Sequence, residues 1–132
     1  MSTGVETAFK EMLDISSDID KALLFAPEGV LVSNMSAEAQ PVAVAQAEEL
    51  ARLAALRAAE MGSQPMTQMV IETSAGFVFL VREAQADGLV ALATGKKGSR
   101  VGLALYDLKT CVRDAREGMS EAGTEAGEGE ES

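Results

Sequence analysis

MTQMVIETSAGFVFLVREAQADGLVALAT, residues 66–94, decides the fold. Three apolar runs stand out: Met66 to Thr73, Phe77 to Arg82 and Leu89 to Thr94. Ser74-Ala75-Gly76 separates the first two, and Asp87-Gly88 separates the last two. Short runs rich in Val, Ile, Phe and Thr, bounded by such breakers, read as strands joined by tight turns. Connections this short allow only antiparallel neighbours, because a parallel pair needs a long crossover. In the middle run Phe77, Phe79 and Val81 share one face, and Val78 and Leu80 share the other. Both faces are apolar, so helices from elsewhere in the chain must cover both.

Working outward, Lys21 to Ala26 and Val30 to Asn34 are two more strand-like runs around Pro27-Glu28-Gly29. This reads as a hairpin with a three-residue loop and a bulge at Gly29. Ahead of it, Val5, Phe9, Met12 and Leu13 repeat at helical spacing, with Thr3 and Glu6 placed as a capping box. That helix is expected to end near Ser16-Ser17. Between hairpin and meander, Pro41 opens a long helix over Val42 to Met61, closed by Gly62. Glu48 and Arg52 sit i, i+4 in the favourable order. The apolar surface of this helix is wide. Leu50, Leu53, Leu56 and Met61 lie off any single stripe, and Ala43, Ala47, Ala51, Ala54 and Ala58 form a small-residue track. Two readings stay open: a helix simply filled with a good helix former, or one face on the sheet and another on a second subunit.

After the meander, Gly95-Lys96-Lys97-Gly98-Ser99-Arg100 lacks the Gly-Lys-Ser/Thr spacing of a phosphate loop. A solvated connector is expected there, with Ser99 capping the next helix. Val101, Ala104, Leu105, Leu108, Cys111, Val112 and Ala115 then recur at helical period, which makes Cys111 a buried hydrophobe. The stretch 118–132 is acidic and aperiodic, and is expected to be a disordered tail on a single domain of residues 1–117. The fold class is therefore α+β: a five-stranded antiparallel sheet, helices on both faces, order α-β-β-α-β-β-β-α.

Composition bounds the chemistry. The chain has no histidine and one cysteine, which removes His-based triads and His- or Cys-rich metal sites. Neither paired carboxylates with a matched site nor an activated nucleophile emerges, so no enzyme, metal or cofactor is expected. The net charge of −10 argues against nucleic acid. Six glutamates and no base follow from Glu117 onward, which leaves 15 acids against 11 bases before it, a net of −4. No run approaches the roughly 20 apolar residues of a membrane helix. The N-terminus lacks a signal-peptide core, so a cytoplasmic protein is expected.

The element order, the hairpin KALLFAPEGVLVSN, the pair QMVIETSAGFVFLV and the closing LVALAT…GLALYDL resemble the Roadblock / dynein light chain family, over about Val5 to Gly118. That fold is profilin-like. The resemblance implies a homodimer, or a heterodimer with a paralogue. In such a dimer the strand after the long helix pairs with its mate while the long helices pack antiparallel. Here the implied self-association residues are Gln68, Met69, Val70, Ile71 and Glu72, with Ala47, Ala51, Ala54 and Ala58. The resemblance also implies a non-catalytic regulator or scaffold for a Ras-like small GTPase, with Glu49, Arg52 and Arg57 as contact candidates. The alternatives are a ligand-sensing PAS- or GAF-like module, which needs a cavity of a few hundred Å³, and a general protein-interaction adaptor.

Overall fold

The computed structural model describes residues 4–131, with side chains as far as Ser120. The elements are α1 (Gly4–Ile15), β1 (Ile19–Ala26), β2 (Gly29–Ser33), α2 (Ala39–Glu60), β3 (Gln68–Thr73), β4 (Gly76–Arg82), β5 (Val90–Lys96) and α3 (Val101–Glu131). The expected element order holds. The five strands form one antiparallel sheet in the order β2-β1-β5-β4-β3. The meander is its β5-β4-β3 half, and β2 and β3 are its edges.

Both faces are covered, as the alternation in β4 requires. Phe79 and Val81 join Leu24, Ala91 and Ala93 beneath α1 and α3, with Phe9, Met12, Leu105, Leu108 and Val112 packed on them. Leu80 joins Leu23, Phe25 and Leu92 beneath α2. Phe79 is fully buried, and its ring stacks on Phe77 with centroids 5.7 Å apart. Cys111 is buried on the α3 stripe, where desolvation first, with the Asp114 carboxylate second, pushes its thiol up to about 12. It packs as a small hydrophobe.

Several local expectations are corrected. Ala26 pairs with Gly29, so the hairpin loop is the two residues Pro27-Glu28. The bulge lies at Leu31: Leu24 faces Val32 while Phe25 faces Val30, leaving Leu31 as the extra residue. Gly29, at φ +141°, supplies the turn exit that an L side chain resists. Helix α2 starts two residues before Pro41, because the Ser36 hydroxyl and carbonyl both accept the Ala39 N–H. Pro41 still falls in the first turn, where N–H groups lack helical partners anyway. At the other end Ser63 N–H reaches the Ala58 carbonyl (2.8 Å) and Gly62 N–H reaches that of Ala59 (3.0 Å), closing the helix at the expected glycine.

The Gly95–Arg100 connector is not free. Arg100 donates its backbone N–H (3.2 Å) and its Nε (3.3 Å) to Asp18 Oδ2, and its Nη2 to Ser17 Oγ (3.1 Å). Asp18 thus serves the first turn of α3 from outside the helix, while the Ser99 hydroxyl donates to the Lys96 carbonyl.

Helix α3 runs past the start of the expected tail. Gly118, Met119 and Ser120 continue α3, and Met119 packs against the α1/α3 core. A Cβ on Gly4 would lie 2.6 Å from Gly118 Cα, so the two glycines let α1 and α3 touch backbone to backbone. That close crossing carries the helix past the expected end. The remainder of the expected tail, 121–132, lies outside the residues whose side chains are described. Thr3, the expected cap of α1, lies outside the described residues altogether.

Candidate functional site

Strand β3 is hydrogen-bonded to β4 along one side only. Its six residues pair with β4 in unbroken register, from Gln68 opposite Val81 to Thr73 opposite Gly76. Met69 and Ile71 point to the α2 face, and Gln68, Val70 and Glu72 to the α1/α3 face. Val70 is 36% exposed. No lysine or proline lies between Gln68 and Thr73, and no bulge breaks the strand, so nothing in it discourages pairing with another edge. The strand ends at Thr73, whose hydroxyl accepts the Ala75 and Gly76 N–H groups (both 3.1 Å) and fixes the turn to β4.

Helix α2 covers the sheet face to which Met69 and Ile71 point. Ala43, Ala47 and Ala51, four residues apart, are buried against Leu23, Phe25, Leu80 and Leu92. Two residues of the expected self-association track lie under the helix. Ala47 and Ala51 are spent inside the monomer because small side chains let the helix sit close to the sheet, while Ala54 and Ala58 stay half-buried. The exposed apolar residues of α2 are Val42, Leu53 and Leu56, with Met61 just past its end. Pro41, Val44, Ala45 and Glu48 line a groove with Gly29 and Val30 of β2. A helix with 44 and 48 turned toward β2 turns 46, 50, 53 and 57, on its opposite flank, toward β3. Leu53 therefore stands on the same side as the open strand. The sequence shows these leucines, but its alanine track draws the self-association surface away from them. The usable signal is the wide apolar arc itself, since one sheet cannot cover it all.

Glu49 and Arg52 are on the outer surface of α2, and Arg57 is exposed on the flank that carries Leu53. Arg52 pairs with Glu49 (2.5 Å) rather than with Glu48, and Arg57 pairs with Glu60 (2.9 Å). The Arg52 hydrogen bond holds the Glu49 carboxyl below its ordinary range. These pairs are solvent-exposed and contribute little to stability.

One polar cluster has no trace in the sequence. The Glu83 carboxylate accepts Arg116 Nη2 (2.7 Å) and the Leu89 N–H (2.7 Å), tying the β4–β5 loop to α3. The Arg116 guanidinium is the main cause that holds the Glu83 carboxyl low, against the opposing effect of partial burial. Among the described residues no group of three or more Cys, Asp or Glu side chains is arranged to hold a metal. No described helix is long and apolar enough to cross a membrane.

A five-stranded 2-1-5-4-3 sheet with two helices on one face and one long helix on the other defines a Roadblock/LC7-type fold. Comparison with solved structures places the chain there. It is similar to the gliding protein MglB from Thermus thermophilus, with 14% identity, TM-score 0.72, 89% of this chain and 90% of that one. It is similar to the Roadblock/LC7 domain from Streptomyces avermitilis, with 15% identity, TM-score 0.72, 82% of this chain and 91% of that one. A third neighbour is MglB in a tetrameric arrangement, with 15% identity, TM-score 0.64, 91% of this chain and 93% of that one. What is shared at these identities is the fold. No family model matches the sequence, and no curated protein matches it.

Proposed function

We propose that the chain is a non-catalytic regulator or scaffold that pairs through β3 and acts on a Ras-like small GTPase. The observation that carries this reading is the open, unbulged β3 edge, with Leu53 and Leu56 exposed on the helix that covers the same sheet. Two copies joined edge to edge would extend the sheet, and the two α2 helices would run antiparallel and cover Leu53 on each other. Such an interface is self-complementary, so each residue near the two-fold axis meets its own copy. The second copy is either this chain or a paralogue. The fold likeness to MglB and to Roadblock/LC7 domains supports the reading, as does the tetrameric arrangement in which MglB has been seen.

On this reading the working surface is the paired α2 platform. Glu49 and Arg52 stand on its outer side and Arg57 at the margin of the seam, and these would contact the GTPase, biasing one of its conformations while the GTPase supplies its own catalytic groups. A cytoplasmic setting follows from the same reading. A PAS- or GAF-like sensor would need an enclosed cavity, and both sheet faces are instead filled by side chains such as Phe79, Leu80 and Leu89 that are almost fully buried. The test uses a purified Ras-like GTPase from the same genome, loaded with GDP or a GTP analogue. Binding to one nucleotide state at least about tenfold tighter than to the other is expected, weakened by Arg52→Glu with Arg57→Glu. Equal binding to both states, or none, would overturn the GTPase assignment while leaving the paired scaffold standing.

A further inference from the structure

We infer that the chain carries a second interaction surface, on the face of the sheet opposite α2, that takes an acidic amphipathic segment of a partner protein. The surface is an open groove of about 380 Å³ between α3 and β4. Its floor is apolar, formed by Val81 and Val112, both buried. Its rim is cationic. Lys109, Arg113 and Arg116 follow one another at i, i+4 and i+7 along α3, while Arg82, at the end of β4, donates its Nε to the Met66 carbonyl (2.7 Å). Two carboxylates also line it. Glu83 is already engaged by Arg116 and by the Leu89 N–H, and Glu117 is exposed beside them.

The exposed cations Lys109 and Arg113 are what select a ligand. Among the described residues no carboxylate lies within ion-pair distance of Lys109. Arg113 pairs only with its own neighbour Asp114, at 3.2 Å, and its side chain is 64% exposed. Lys109 and Arg113 are one helical turn apart, about 6 Å along α3. Carboxylates spaced by one turn on a partner helix would meet both, while apolar residues between them covered Val81 and Val112. The net charge of −10 makes this a sharp expectation. The field of the whole molecule disfavours acidic ligands, so acidic selectivity can only come from a local surface such as this one. The residues that select the ligand, Lys109 and Arg113, both lie on α3 of one chain, so the inference rests on neither the β3 pairing nor the GTPase reading.

The test uses the full chain and two synthetic peptides of about 14 residues with leucines at helical spacing. One carries glutamate at the flanking positions, and its counterpart carries lysine there. Fluorescence anisotropy at about 50 mM salt should show the glutamate peptide binding and the lysine peptide binding at least about tenfold more weakly. Lys109→Glu with Arg113→Glu should weaken the glutamate peptide by about tenfold or more, and so should raising the salt to about 500 mM. Both substitutions are at exposed positions, so unchanged circular dichroism is expected. The control Lys96→Glu with Lys97→Glu, at the other end of α3, should change nothing. Equal binding of the two peptides, no binding at all, insensitivity to the groove variant, or loss in the control variant would each overturn the assignment.

Discussion

Strands β2 and β3 form the two edges of one sheet, and they differ in regularity. β2 has five residues and is bent by the Leu31 bulge. Leu31 and Val32 lean onto the α1/α3 core. Where β2 leaves the sheet, side chains take over the pairing: Ser33 Oγ donates to the Ala22 carbonyl (2.9 Å) and Asn34 Oδ1 accepts the Ala22 N–H (2.8 Å). Asn34 Nδ2 also donates to the Asp20 carbonyl (3.0 Å). A short, bulged edge is a poorer template for another strand than a regular one. β3 has none of these devices. It is regular over all six residues, and its one partner is β4. The difference teaches where assembly should occur: a chain that blunts one edge and leaves the other regular has an edge to offer.

The largest expected effect comes from breaking the open edge. Val70→Lys places two like charges near the two-fold axis of a β3 seam, and should weaken self-association by about a hundredfold or more. Analytical ultracentrifugation over a dilution series measures it. Next is Leu53→Asp on the flank of α2, expected to weaken association by about tenfold. Because Leu53 is 49% exposed in the monomer, its melting temperature should move by no more than about 2 °C. Loss of folding in that variant would mean that α2 covers its flank within the chain and not across a seam.

The comparison is sharpened by lesions that strike the fold and spare the edge. Ala47→Leu overfills the sheet-facing side of α2 and should cost about 1–3 kcal/mol in urea unfolding. Its exposed-surface counterpart Ala59→Leu should cost almost nothing. The smallest expected effect is at Glu83, whose carboxyl is held below the ordinary value of 4.5 by Arg116. A depressed carboxylate contributes stability that is fully present above the unfolded value and is lost as pH falls through the folded one. Glu83→Gln should therefore cost about 1 kcal/mol at pH 7, with the gap to the parent chain closing below about pH 4.5. Chemical denaturation at several pH values reads it, and association should stay unchanged.

Much of the fold is legible because it is written locally. Gly76 and Asp87-Gly88 divide the meander, the Phe77/Phe79/Val81 alternation demands cover on both faces, and the α3 stripe runs from Val101 to Ala115 at one period. What is not legible depends on partners far away in the chain. Asp18 serves Arg100 across 82 residues, and Glu83 holds Arg116 across 33. Gly118 reads as a helix stop until Gly4 is found against it. The bulge falls at Leu31 and not Gly29 because the two-residue turn already satisfies the glycine, leaving the extra residue inside β2. At the candidate site, β3 is readable as an edge lacking lysine and proline. The face of α2 is not, since an alanine track and a leucine arc compete for the sheet, and only packing decides which goes under.

The claim that copies pair through the regular β3 edge and not the bulged β2 edge is tested most directly by sedimentation of three proteins side by side: the parent chain, Val70→Lys on β3, and Val30→Lys on β2. Val30 and Val70 are almost equally exposed, at 37% and 36%, so a generic effect of added charge should be equal at both. At tens of micromolar, a concentration at which a specific interface is populated, the parent chain and Val30→Lys should sediment as dimers or larger and Val70→Lys as a monomer. A monomeric parent chain, or a Val30→Lys variant that dissociates while Val70→Lys does not, would contradict the account.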